Sequence, residues 1–103
     1  MPMSQDSIVD ASATVWPGEL NEVTVPLLRQ ELNALVAGGC RDLVVDLNRV
    51  KSIDAVGIGV LCAAHNTLKR EQGALSLVNT SPELYALFHR TGLSRQFAVI
   101  PAK

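Results

Sequence analysis

The sequence predicts a small α/β domain: a mixed, largely parallel β-sheet of four or five strands with α-helices packed against it. Strand-like apolar runs alternate with segments whose apolar residues recur at helical spacing. This alternation favours parallel strands joined by right-handed helical crossovers. Of the 103 residues, 48% are hydrophobic but only 4% are aromatic, so the core must consist mainly of Val, Leu, Ile and Ala.

Length and charge limit the classes of function. The chain fits one domain, residues 1–103, with a core from about residue 8 to residue 100. A net charge of -1 gives no whole-domain electrostatic basis for binding nucleic acid or an anionic membrane. No apolar run approaches the roughly 20 residues that span a bilayer, and Met1–Asp10 lacks the pattern of a signal peptide. We therefore expect a cytoplasmic protein that does not insert into membranes, with both cysteines reduced.

The first half of the chain is predicted to form strand, helix and strand. Ile8–Asp10 and Ala13–Trp16 favour either one bent strand or two short antiparallel ones. A helix capped by Thr24 follows, and its inward residues are Leu28, Leu32, Leu35 and Val36. Asp42–Leu47 shows too little polar alternation for an exposed strand, which predicts a central strand covered on both faces.

The second half continues the alternation. A helix is predicted from Ala55 to about Gln72, ended by Gly73, and the strand Ala74–Val78 follows. Ser81 is the expected cap of the next helix, because Pro82 occupies its first position. That helix is predicted to end near Thr91, before a last strand, Gln96–Ile100.

The start of the second helix is the most informative stretch. Asp54 is a good N-cap, because its carboxylate can accept hydrogen bonds from free helix amides. Gly57 and Gly59 each cost about 0.5–1 kcal/mol relative to alanine in a helix, unless a close backbone approach requires them. We therefore expect another part of this protein, or a partner, to lie against them.

This helix also carries an unusual apolar stripe. Its second half is predicted to expose His65, Asn66, Lys69 and Arg70. Traced toward Asp54, the same side becomes apolar, and its residues are Ala55, Ile58, Gly59 and Cys62. Either the protein's own terminal segments cover this stripe or a partner docks there.

No pattern in the chain indicates catalysis, a cofactor or a metal. The sequence contains no G-x-S-x-G, P-loop lysine or H-E-x-x-H. His65 and His89 fall on different helices and are predicted to be surface residues, while Asp42 and Asp46 are interpreted as solvated strand ends. We therefore predict that the protein is not an enzyme and has neither a cofactor nor a metal site.

Five motifs occur in order along the chain: Gly18-Glu-Leu20, Leu43-Val-Val-Asp-Leu47, Val50-x-x-Ile53-Asp54-x-x-Gly57-Ile-Gly59, Ser81-Pro-Glu83 and Thr91-Gly-Leu93. Taken together, these motifs resemble the STAS domain of bacterial anti-sigma-factor antagonists. The resemblance implies a small sheet with packed helices and a protein that acts by binding. In the family, unphosphorylated antagonist captures an anti-sigma factor that is also a kinase, and thereby frees the sigma factor.

Two residues depart from the family pattern. The family's central motif is Asp-Ser-x-Gly, and its serine is phosphorylated by the partner, whereas the matching residue here is Ala55. The family often has an aspartate after Gly-Glu-Leu, and this chain has Asn21. The usual phosphorylation switch is therefore not expected here, and Ser52 is a weak substitute acceptor.

Three explanations of Ala55 are open. The protein is a naturally unswitched antagonist, or it belongs to a STAS branch such as the accessory subunit that braces the ATPase of a lipid-transport ABC system, or alanine has replaced serine by engineering. The leading hypothesis is a regulatory module that binds an anti-sigma factor or histidine-kinase-like ATPase; a ligand or nucleotide sensor is a third hypothesis. The predicted partner-binding residues are Asn21, Asp54, Ala55, Val56, Gly57, Ile58, Gly59 and Cys62.

Overall fold

A computed structural model describes residues 12–102 of the chain. Its strands are β1 (Ser12–Val15), β2 (Asp42–Asp46), β3 (Ala74–Thr80) and β4 (Ala98–Pro101). Its α-helices are α1 (Thr24–Ala37), α2 (Ala55–Arg70) and α3 (Pro82–Arg90), and a 3-10 turn, Leu93–Arg95, precedes β4. The elements alternate as the sequence predicts.

The four described strands form one sheet in the order β1-β2-β3-β4, and every pair is parallel. In the register, Val45 lies between Val15 and Leu77. Right-handed crossovers between strands paired in chain order place all the connecting helices on one face of the sheet. The α/β prediction is confirmed, while the predicted strand Ile8–Asp10 lies outside the described residues.

One hydrophobic core lies between the helices and the covered face of the sheet. Alternate residues of the strands point into it, as in the burial of Leu43, Val45, Leu75 and Leu77. The helices contribute further large side chains, chiefly Val25, Leu28, Leu32, Val60, Leu61, Leu68, Leu84 and Phe88. Aliphatic residues fill most of this core, as the composition predicts.

The opposite face of the sheet is not covered by any described helix. Val44 and Val78 in the central strands are only half-buried, while Trp16 and Ile100 at its margins are 63% and 51% exposed. The prediction that β2 is covered on both faces is therefore wrong for residues 12–102. The physical reason is the sequential strand order, which sends every crossover to the same side.

The start of α1 differs from the prediction that Thr24 caps it. The side-chain oxygen of Asn21 accepts from the amides of Val23 (2.9 Å) and Thr24 (3.0 Å). The Thr24 hydroxyl in turn accepts from the Asn21 amide at 2.9 Å. This reciprocal pair is a capping box in which Asn21 is the cap and Thr24 its partner three residues later.

The end of α2 also differs from the prediction. The helix ends at Arg70 rather than Gln72, because Gln72 adopts a left-handed conformation with φ of 62°. Gly73 meets a different requirement, since a Cβ there would collide with the carbonyl oxygen of Arg41. The last strand likewise begins two residues later than predicted, at Ala98.

His65, predicted to lie on the exposed side of α2, is instead buried, with 8% of its surface accessible. Its ring packs edge-on against Phe97, with ring centroids 5.1 Å apart. Four residues separate His65 from the buried Leu61, which places the two only about 40° apart around the helix. Burial, with a smaller contribution from the charge of Lys69, lowers the pKa of His65.

The lowered pKa of His65 predicts that the protein loses stability in mild acid. Below about pH 6.5, the ordinary histidine pKa, the unfolded chain binds a proton that the folded chain does not, so the free energy of unfolding falls as pH falls. Urea unfolding at about pH 7.5 and about pH 5.5 measures this loss, which His65→Gln should reduce. Equal losses in the native protein and in His65→Gln would contradict the prediction.

Candidate functional site

The candidate site lies at the edge of the sheet where the parallel strands end. The segments that follow β1, β2 and β3 leave this edge and lead directly into the N-termini of α1, α2 and α3. A parallel sheet with helical crossovers therefore brings chain-distant helix starts close together. Open α/β sheets bind ligands at this edge where the strand order reverses, whereas the sequential order of the four described strands contains no reversal.

Asp46 joins three of the segments at this edge. One carboxylate oxygen accepts from the indole N–H of Trp16 (3.1 Å) and from the side-chain amide of Asn79 (2.9 Å). The other accepts from the backbone amide of Asn48 at 2.9 Å. The interpretation of Asp46 as a solvated strand end is therefore incomplete, because it ties the ends of β1 and β3 to the loop that leads into α2.

Asp54 caps α2 as predicted. Its Oδ1 accepts from the backbone amide of Gly57 at 2.9 Å, and its own carbonyl accepts from Ile58 at 3.0 Å. The carboxylate also lies at the positive end of the helix dipole. The anion-binding capacity of this helix start is thus partly taken up by the protein's own side chain.

The two glycines of α2 have different surroundings. A Cβ on Gly57 would lie 2.7 Å from Cγ1 of Ile53, so the close approach at this position is made by the protein itself. A Cβ on Gly59 would meet nothing within 4 Å, and the residue is exposed. Packing within the described chain therefore explains the glycine at residue 57 and leaves the one at residue 59 unexplained.

The predicted apolar stripe is divided by the fold. Ala55 and Gly59 are exposed, whereas Ile58 and Cys62 are half-buried and pack against the core. Val56 lies about 60° around the helix from Gly59, at the margin of the stripe, and is 57% exposed. The accessible part of this surface is consequently shallow and apolar, and it follows the first two turns of α2. We call Ala55, Val56, Ile58, Gly59 and Cys62 the α2 surface.

A groove of about 260 Å³ lies between the starts of α1 and α2. Asn21, Asp54 and Val56 all line this groove, although Asn21 is more than thirty residues from the other two in the chain. The other lining residues are Glu22, Val25, Pro26 and Arg29. Sequence reasoning missed these residues, although Glu22, Pro26 and Arg29 recur at i, i+4 and i+7, the spacing of one helix face.

The site offers little for catalysis. Burial raises the pKa of the Cys62 thiol, which keeps it in the weakly nucleophilic protonated form. Within residues 12–102, no three His, Cys, Asp or Glu side chains lie close enough together to hold a metal ion. The helices of the same region are too short or too polar to span a bilayer. Ser52, the substitute acceptor, is exposed in the loop before Asp54.

Comparison with known proteins identifies relatives along most of the chain. The STAS domain model matches residues 14–102. The anti-sigma-B factor antagonist of Bacillus subtilis is 37% identical over 76 residues, which cover 74% of this chain and 69% of that protein.

Solved structures agree with the fold. An anti-sigma factor antagonist from Mycobacterium paratuberculosis has a TM-score of 0.77 and 34% identity, covering 89% of this chain and 79% of that one. The anti-sigma factor antagonist SpoIIAA in its unphosphorylated form has a TM-score of 0.74 and 21% identity, covering 85% and 78% of the two chains. At that identity the second likeness concerns the fold alone.

The different surroundings of the two glycines predict opposite effects of alanine. Gly57→Ala should lower the free energy of unfolding by about 1–3 kcal/mol, because Ile53 must move. Gly59→Ala should raise it by about 0.5–1 kcal/mol, because alanine favours the helix and meets no neighbour. Urea unfolding of both variants checks this pair. A loss of stability in Gly59→Ala would mean that an undescribed part of the chain packs on the α2 surface.

Proposed function

This chain belongs to the STAS domain family, and we propose that it is a cytoplasmic regulatory protein of the anti-sigma-factor antagonist type. We propose that it binds its partner through the α2 surface and Asn21. The partner is an anti-sigma factor or a histidine-kinase-like ATPase. The observation that carries the proposal is the exposed start of α2, whose Gly59 has no packing neighbour in the described chain. The named relatives with at least 30% identity are anti-sigma factor antagonists, which supports the same function.

The chemistry of the α2 surface suits a protein partner. Ala55 and Gly59 present almost no side chain, so a partner can approach the helix backbone closely. Ile58 and Cys62 offer apolar area beside them while remaining anchored in the core. A small apolar surface with polar neighbours such as Asn66 is typical of protein interfaces.

Asn21 contributes to this surface in a limited way. Its side-chain oxygen is already used by the amides of Val23 and Thr24. A hydrogen bond to a partner would therefore use the side-chain nitrogen of Asn21, which is a donor. An aspartate at this position would offer only acceptors. The substitution of asparagine for the family's usual aspartate leaves the helix capped and changes the polarity offered to the partner.

Binding rather than catalysis is the activity that this surface supports. The Cys62 thiol stays protonated, which makes it a weak nucleophile, and Oδ1 of Asp54 is engaged as the cap of α2. An accessory role in an ABC transport system gains no support from the relatives named above. The hypothesis of a nucleotide or ligand sensor likewise gains none.

We further propose that the partner does not switch this chain by phosphorylating residue 55. Alanine has no hydroxyl group, so the position that matches the family's phosphoserine cannot accept a phosphoryl group. A phosphate there would place about -1.5 to -2 charge beside the Asp54 carboxylate and on an apolar surface. Without that group, the α2 surface keeps one chemical state and stays available for binding.

A bulky charge at the start of α2 should abolish binding without unfolding the protein. Ala55→Arg tests this, because residue 55 is exposed, whereas a charge at the half-buried Ile58 would also perturb the core. Calorimetry with the purified anti-sigma factor that co-purifies with this chain should give at least a tenfold weaker Kd, on the order of a hot-spot loss.

The matched control is Ala86→Arg, which makes the same change at an exposed position of α3. It should bind like the native chain, and both variants should unfold at similar urea concentrations. Unchanged binding by Ala55→Arg would contradict the docking site.

Restoring serine should restore the switch. Incubated with an anti-sigma factor kinase and ATP, Ala55→Ser should gain one phosphoryl group by mass spectrometry and then lose partner binding. The native chain under the same conditions should gain none at residue 55 and keep its affinity. Efficient phosphorylation of the native chain, for example at Ser52, with loss of binding would overturn the unswitched function.

A further inference from the structure

Helix α1 carries a second apolar surface, on the side opposite the groove that it shares with α2. Leu27 lies about 160° around the helix from Arg29, which lines that first groove. Leu27 is 59% exposed and Val23, one turn before it, is 74% exposed. Both values are high for large aliphatic side chains, since Val25, Leu28 and Leu32 of the same helix are buried in the core.

A second groove runs beside these residues, between α1 and the segment that follows β1. Its volume is about 210 Å³, below the roughly 300–1,000 Å³ of typical small-molecule pockets. Its walls are mainly apolar, and its lining residues are Pro17, Gly18, Leu20, Thr24, Leu27, Leu28 and Glu31. A space of this size and polarity is suited to an anchoring side chain of a longer ligand.

The charged side chain that lines this second groove is acidic. Glu31 lines the groove, and the exposed Glu19 lies between two of its lining residues in the loop. No Lys or Arg is among the residues that line it in the described part of the chain. The surface therefore favours a ligand with positive charge next to an apolar group.

The negative charge at this groove disfavours several possible ligands. The first eleven residues of the chain include Asp6 and Asp10 and no Lys or Arg, so the protein's own N-terminal segment would add like charge. The same face of a second copy would place carboxylates against carboxylates. Anionic membranes and nucleic acids are repelled for the same reason.

We propose that this face of α1 binds a basic peptide segment of a partner protein. One apolar side chain of that segment fills the groove against Leu20 and Leu27, and flanking Lys or Arg side chains pair with Glu19 and Glu31. The site is separate from the α2 surface and lies on the opposite side of α1 from the groove that holds Asn21. It would allow the protein to hold a second partner, or a second segment of the same partner, while the α2 surface is occupied.

Selection from a random peptide library displayed on phage tests the chemistry of this face directly, whatever the partner is. The native chain is the target, and the double variant Leu27→Asp with Glu31→Lys is used for counter-selection. Enriched peptides should combine a Leu, Phe or Trp with neighbouring Lys or Arg, and should bind less tightly as salt increases. Amide chemical shifts of the labelled protein should change at residues 17–31 when a selected peptide is added.

Three further variants keep the test specific. Glu31→Lys should weaken binding of the selected peptide roughly tenfold. Glu22→Lys makes the same charge change on the other side of α1 and should leave binding unchanged, as should Ala55→Arg on the α2 surface. Failure of the proposed function would therefore not affect this result.

Several outcomes would overturn the proposal. They are failure to enrich any peptide, enrichment of acidic or uncharged peptides, or binding that survives Glu31→Lys. A large loss of stability in Leu27→Asp alone would show that the chain's own segment covers the groove. Concentration-dependent self-association that Leu27→Asp abolishes would assign the face to a second copy instead.

Discussion

Parallel pairing of four strands in the order in which they occur along the chain determines where the helices of this protein lie. Each crossover turns the same way, so α1, α2 and α3 share one face and their N-termini share one edge. The hydrogen bonds that Asp46 accepts from Trp16 and Asn79 hold that edge together. The position of the proposed binding surface therefore follows from the order and direction of the strands. The loop from β2 to α2 contributes the residues that lead into its first turn.

At this edge the protein uses its polar groups to finish its own helices. Asn21 caps α1, Asp54 caps α2 and Ser81 caps α3, each by accepting from a backbone amide of the first turn. Next to these caps lie the shallow apolar α2 surface and the groove between α1 and α2, whose lining also includes the charged residues Glu22 and Arg29. The α2 cap and the exposed first turn of α2 are both formed with alanine at residue 55.

Local signals were predictable from the sequence, and contacts between distant segments were not. Asp54 and Ser81 could be identified as caps because the relevant amides lie three residues away. At α1 the sequence predicted Thr24 as the cap, whereas Asn21 is the cap and Thr24 its reciprocal partner three residues later. His65 lies about 40° around α2 from the buried Leu61, at the margin of the inward face, and the packing of Phe97, 32 residues later, completes its burial.

The candidate site shows the same limit. The sequence indicated that something approaches the glycines of α2, but only the fold separates Gly57, which meets Ile53, from Gly59, which meets nothing. Likewise, Asn21 joined the predicted site through a family pattern, while the groove that connects it to Asp54 and Arg29 requires two helices in place. Predicting such a site needs the packing of α1 on α2, which no local motif encodes.

The most direct test of the central claim is a nuclear magnetic resonance titration of the labelled chain with its co-purifying anti-sigma factor. The α2 surface and the adjoining groove predict that the largest amide shift changes fall at Asn21 and at residues 54–63. Changes concentrated instead on the open face of the sheet, around Trp16 and Ile100, or on α3, would contradict the account. Such a result would leave the exposed start of α2 without a function.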